Sequence, residues 1–210
     1  MQTSLVPPIL LAAVLLPAAA MAQKHPVTQP LATAAVVGQG VALLPINMVV
    51  IDPNVPTGTV SQDRATLIRW TDSLLADGAE SRVPEVKWVP PNELRRVARR
   101  SGGLLADPNQ MGQSVMRSWG LTVVPDPLRS NLRKLLAVAG GWRYALIPAA
   151  LIIKNDSTGQ LEADLSILLA DTRTGKVVWR SVAKGRGGTV VEVLGKAVAT
   201  IFPIDEERQP

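Results

Sequence analysis

Between Trp142 and Ala183 three apolar stretches are joined by two short segments of one chemistry, NDSTGQ at 155–160 and DTRTGK at 171–176. Each joint has a glycine able to take the left-handed position of a type I turn with a bulge. Asn155 and Asp171 are placed to accept backbone hydrogen bonds there. The stretch between the joints alternates: Leu161, Ala163, Leu165, Ile167 and Leu169 share one face, and Glu162, Asp164 and Ser166 the other. That is the period of a strand. With strands over 142–154 and 177–183 on either side, it predicts a three-strand antiparallel meander around which the rest must fold.

The elements before and after the meander follow from periodicity and punctuation. VALLPINMVVI, 41–51, is a nearly continuous apolar run rich in branched residues, which predicts a strand buried on both faces. The turn-rich DPNVPTG follows. From 62 to 77, Ala65, Leu67, Ile68, Trp70, Leu74 and Leu75 recur at helical spacing, with Gly78 as the stop. Val86–Val89 predicts a short strand, and Pro90-Pro91 opens a helix to Arg100, since a proline in the first helical turn sacrifices no helix bond. A weak helix is expected over 110–119. Asp126-Pro127 starts a stronger one that Gly140-Gly141 closes. Thr189 and Glu192 form a capping box for a closing helix through Ile201, with Pro203 after it. The expected fold class is therefore α+β (mixed α/β). It has a mixed sheet with a C-terminal three-strand antiparallel meander, helices packed on the sheet, and a closing C-terminal helix.

The first residues, MQTSLVPPILLAAVLLPAAAMAQ, carry no charged side chain and end in the small-x-small triplet Ala20-Met21-Ala22. This predicts a signal peptide over 1–22, cleaved to leave Gln23, although the segment lacks the usual Lys or Arg near its start. Residues 23–40, with Pro26, Pro30 and a small-residue run, are expected to be a flexible arm. Residues 41–202 are expected to form a single α/β domain and 203–210 a solvated tail. A membrane span over 31–51 is disfavoured by Gly38, Gln39, Gly40, Pro45 and Asn47. The chain has no cysteine, so the fold must stand without disulfides and no lipobox thiol is present to be acylated. Periplasm or cell surface, without a lipid anchor, is the expected location. In that setting a net charge of +5 favours an anionic envelope partner over nucleic acid.

Few chemistries are supported. His25 is the one histidine and falls in the arm, so a histidine-based triad, metal site or general base would hang on a single residue outside the domain. GQGVAL at 38–43 precedes a strand and lacks a P-loop lysine. Asp52, Asp63, Asp107, Asp126 and Asp171 sit near turns and would have to supply any carboxylate catalysis. Catalytic, cofactor-binding and metal-binding residues are not expected. The five tryptophans, spaced singly, predict core anchors. The sharpest charge feature is ELRRVARR. Arg95, Arg96, Arg99 and Arg100 are helical neighbours while Leu94 and Val97 turn inward, which makes them the candidate surface for an anionic partner.

The order strand, helix, strand, helix, helix, meander, helix resembles a periplasmic domain family. That family includes the TolB amino-terminal domain, the curli-secretion protein CsgG and the LpoB-type envelope lipoproteins. VALLPIN matches its opening strand, WVPPNELRRV its second strand and helix, and LLAVAGGWRYALIPAALI its helix-into-strand passage. LSILLADTRTGKVVW matches the final hairpin, where the family reads apolar residues, Asp-x-x-Thr-Gly, then apolar residues and Trp. The resemblance covers about 41–202. It implies the fold and an envelope location, and gives Asp171, Gly175 and Trp179 roles in the hairpin and core. The sequence thus reads as an exported, non-enzymatic envelope protein acting as a macromolecule-binding or assembly module. Its expected partner is an envelope protein or an anionic envelope component, and peripheral membrane contact is compatible with it. Two alternatives stand beside it: a small exported hydrolase using carboxylates, and a protein binding anionic glycans or lipid surfaces.

Overall fold

The computed structural model describes residues 27–60 and 63–204. In chain order the elements are β1 (Gly40–Leu43), β2 (Val49–Ile51), α1 (Arg64–Arg82), β3 (Lys87–Val89), α2 (Pro91–Arg100), α3 (Leu128–Val138), β4 (Tyr144–Asn155), β5 (Leu161–Asp171), β6 (Val177–Gly187) and α4 (Val190–Ile201). One mixed sheet runs in the order β3-β1-β4-β5-β6, with β2 also on β4. The meander is antiparallel as expected, and β1, β2 and β3 enter the sheet in parallel pairings. The signal-peptide reading, His25 and all but the first two residues of the tail lie outside the described residues.

The sheet divides two apolar cores. Leu161, Ala163, Leu165, Ile167 and Leu169 face one side, where α1 and α4 supply Leu67, Leu75, Val193, Leu194 and Ala197. Leu168 and Ala170 face the other, where α2 and α3 contribute Leu94, Leu128, Leu132 and Leu135. Farther along the second face the charged residues form a ladder: Lys154 to Asp164 at 2.5 Å and Arg186 to Glu162 at 2.6 Å. Burial alone would raise the Glu162 carboxyl. Hydrogen bonds from Arg186 and Lys154 outweigh it and hold the group below its ordinary value.

The expected single strand over 41–51 is instead two strands laid end to end along β4. Val41 faces Tyr144 and Val49 faces Leu151. Five residues, 44–48, separate β1 from β2, against four between the matching positions of β4, and β4 itself shifts register against β5 between Pro148 and Ala150. Pro45 and Pro148 have no N–H to give a ladder, so the pairing breaks where both occur. Side chains described below take the vacated hydrogen bonds.

Other boundaries shift for tertiary reasons. α1 passes through Gly78 to Arg82, because Gly78 is where Val198 and Phe202 of the α4 segment press on the helix. The expected helix over 110–119 is two short 3-10 turns, Pro108–Gln110 and Gln113–Arg117, parted by Gly112 in the left-handed conformation. The arm is not loose over its described part. Val182 N–H donates to Val27 O at 3.1 Å, Leu31 N–H to Ile201 O at 2.9 Å, and Trp179 Nε1 to Pro30 O at 2.8 Å. Leu31 and Val36 are buried. β6 is an edge strand, and the arm covers polar groups it would otherwise expose. Of the five tryptophans only Trp179 is buried; the others are half-buried at the rims.

Both hairpin turns keep their glycine in the left-handed region, Gly159 at φ 82° and Gly175 at φ 78°. A β-branched side chain there is strained, so Gly159→Val and Gly175→Val should each cost about 1–2 kcal/mol. Gly175→Val should cost more, since its first added carbon would also meet the Arg129 side chain at 2.7 Å. Thermal melts check this, and unchanged midpoints for both would refute the turn assignment.

Candidate functional site

α2 begins with Pro91 at its first position and buries Leu94, which sets the orientation of its arginines. They do not form one face. Arg95 turns under the helix, where its Nη2 donates to Asp72 Oδ2 and its Nε to Asn109 Oδ1 at 2.8 Å. Asp72 is buried on α1, and its Oδ1 accepts the Ile46 N–H at 2.8 Å. Burial lifts the Asp72 carboxyl above its ordinary value, against the opposing bonds from Ile46 and Arg95. Gln113, fully buried, donates from Nε2 to Pro45 O at 2.7 Å and accepts from Asn47 Nδ2 at 2.8 Å. Asp72, Arg95 and Gln113 therefore stitch α1, α2 and the 3-10 turn to the strand break. This commits the Arg95 guanidinium to the architecture, although part of its side chain stays exposed. Arg96 pairs with Glu93 one turn back, an exposed pair worth little. Arg99 and Arg100 are exposed.

The five carboxylates picked out as the basis for a hydrolase have local structural partners. Asp63 caps α1 through the Thr66 N–H, which holds its carboxyl below the ordinary value. Asp107 caps a 3-10 turn through Asn109, and Asp52 accepts from Asn54. Asp126 binds Ser130 and Arg129. Asp171 is buried; burial would raise its carboxyl, but Arg143, at 2.7 Å, and the N–H groups of Thr174 and Arg173 bring it below the ordinary value. The carboxylates that do share a partner are Glu162 and Asp164, joined through Lys154 and Lys184 in the sheet ladder. Among the described residues no group of His, Cys, Asp and Glu is placed to hold a metal ion, and no helix is long and apolar enough to cross a membrane.

What the arginine motif alone did not reveal is the extent of the positive layer. Residues 91–141, which form α2, the 3-10 turns and α3, contain eight Lys and Arg against three Asp and Glu, a surplus of five. The rest of the chain holds fourteen of each, so the whole net charge of +5 resides in this one layer. Among the described residues Arg99, Arg100, Arg117, Arg133 and Lys134 make no ion pair with the chain. A running charge count would have found the layer from sequence.

Three depressions open beside it, of which one, about 320 Å³ between α1 and α2, also has the carboxylates Asp72, Asp77 and Glu80 in its lining. A second, about 290 Å³, lies between α2 and the following loop, lined by Arg95, Arg99, Leu105, Asp107 and Asn109. The third, about 510 Å³, lies between α3 and the β5–β6 turn, where Arg133, Lys134 and Arg173 stand around Trp142.

No protein-family model matches the chain, and no curated protein is similar to it. Solved structures do show a likeness. The LpoB C-terminal domain from Salmonella enterica is 14% identical with a TM-score of 0.40, covering 72% of this chain and 85% of that one. The NMR structure of E. coli LpoB is also 14% identical, TM-score 0.40, over 89% and 83%. A PelC dodecamer from Paraburkholderia phytofirmans is 12% identical, TM-score 0.31, over 79% and 89%. The LpoB type named in the sequence resemblance is thus represented among these structures. With every TM-score below 0.5, no residue role or activity is transferred from them.

Proposed function

We propose that this chain is an exported, non-enzymatic binding or assembly module of the cell envelope, and that the α2–α3 layer is the surface it offers to an anionic partner. The observation that carries the reading is the segregation of charge: a neutral body with a surplus of five positive charges in one helical layer. Clustered cations repel one another, so the fold gains nothing by gathering them. An anionic partner turns the same repulsion into charge-assisted hydrogen bonds, which arginine forks make bidentately to carboxylate or phosphate. Arg96, Arg99 and Arg100 carry this role on α2. Arg95 does not, because its guanidinium is committed to Asp72.

The test is recovery of partners from envelope extract with residues 23–210 as bait. Arg96→Glu/Arg99→Glu/Arg100→Glu should reduce recovery at least roughly tenfold while the melting temperature stays close to wild type, because Leu94 still packs. Wild-type recovery should also fall as salt rises, since exposed charges are screened over about 10 Å at 0.1 M. Equal recovery by wild type and variant at every salt concentration would overturn the proposal.

A further inference from the structure

We infer that the depression between α3 and the β5–β6 turn is a binding site for phosphate monoesters. Its construction starts from α3. Leu128, Leu132, Leu135 and Leu136 turn to the core, which leaves Ser130, Arg133, Lys134 and Ala137 as one stripe on the outer side, at the i, i+3, i+4, i+7 spacing of a helix face. Across the depression stand Thr172 and Arg173 of the turn, and Trp142 forms a wall. The cavity, about 510 Å³, falls within the range of about 300–1,000 Å³ typical of small-ligand sites.

The electrostatics are one-sided. Every ionisable side chain lining the cavity is a cation: Arg133, Lys134 and Arg173. The carboxylates that flank these residues in sequence are spent elsewhere, Asp126 on Arg129 and Asp171 on Arg143. A further cation, Lys87, lies 5.0 Å from the centre of the Trp142 ring. One carboxylate would neutralise a single one of the three lining charges. A phosphate monoester carries about 1.5–2 negative charges near neutral pH and three strong acceptor oxygens, which matches two guanidinium forks and an ammonium. Trp142 and Ala137 give the ester's organic part an apolar surface. Ser130 Oγ and Thr172 Oγ1 donate their protons to Asp126 and to Arg143 O, so both hydroxyls face a ligand as acceptors, suited to a hydroxylated organic group.

This deepens the proposed function by naming a ligand chemistry, and rests on it only for the sign of the partner's charge. The test is calorimetric titration of the 23–210 chain with glucose 6-phosphate, with glucose as the uncharged control. A parallel flotation assay uses vesicles of phosphatidylcholine alone or mixed equally with phosphatidic acid. Binding of glucose 6-phosphate and not glucose points to a soluble ester; flotation that needs phosphatidic acid points to a lipid headgroup. Under either outcome Arg133→Ala and Arg173→Ala should each weaken binding about tenfold or more, as expected for the loss of a charge-assisted bond. Arg69→Ala, an exposed cation on α1 outside both the cavity and the α2–α3 layer, should change it less than about twofold. Absence of both interactions, or equal weakening by Arg69→Ala and Arg133→Ala, overturns the site. The cavity variants leave α2 untouched, so failure here with partner recovery still sensitive to α2 would sink this inference and spare the proposed function.

Discussion

Asp72→Ala should lower the free energy of unfolding by about 3–4 kcal/mol, read by chemical denaturation. Removing one partner of a buried ion pair costs about 3–5 kcal/mol, because the other charge is left uncompensated. Arg95 keeps 23% of its side chain exposed, so water recovers part of that penalty. The substitution adds a second cost. The Ile46 N–H, buried at the strand break, loses its acceptor, and an orphaned buried donor costs about 1–3 kcal/mol. A double-mutant cycle with Arg95→Ala should return a coupling of about 1–3 kcal/mol. The pH dependence has a defined sign. Burial raises the Asp72 carboxyl in the folded state, so the folded chain holds that proton more tightly than the unfolded one. This group's contribution to stability therefore declines as pH rises from the ordinary aspartate value through the raised one, and Asp72→Asn should flatten that limb. A loss below about 1 kcal/mol for Asp72→Ala would mean the strand break is held by something else.

Gly185→Ala should be at least as damaging, for a steric reason. A Cβ at Gly185 would stand 1.9 Å from Val193 O and 2.7 Å from Ala197 N, both backbone atoms of α4. A flexible side chain could swing aside, but a helix backbone has to move bodily. Overpacking of a dense core costs about 1–3 kcal/mol and more where nothing yields, so the expected loss is about 3 kcal/mol or more. Gly188→Ala is the control. Its Cβ meets nothing within 4 Å and its φ lies outside the left-handed region, so its midpoint should stay within about 0.5 kcal/mol of wild type. Equal melting of the two variants would show that α4 does not lie directly on β6.

These two residues mark where local pattern stops informing. The sequence by itself determined the meander, because alternation and turn chemistry act over neighbours. Leu161–Leu169 alternates as observed, and Gly159 and Gly175 take the turn positions assigned to them. It also determined α4, since the Thr189 side chain meets the Glu192 N–H, and the Glu192 carboxylate meets Gly188 N–H, within one helical turn. Only the tertiary structure decided the rest. An eleven-residue apolar run cannot show that Pro45 will meet the bulge of a strand a hundred residues later, so the split into β1 and β2 was hidden. ELRRVARR looks like four equivalent arginines until Asp72, 23 positions earlier, claims one of them. Pro26 and Pro30 suggest a loose arm until the edge of β6 supplies partners for it. In each case the deciding interaction joins residues distant in sequence. Such an energy is set by which elements packing brings together, a quantity that no local periodicity encodes.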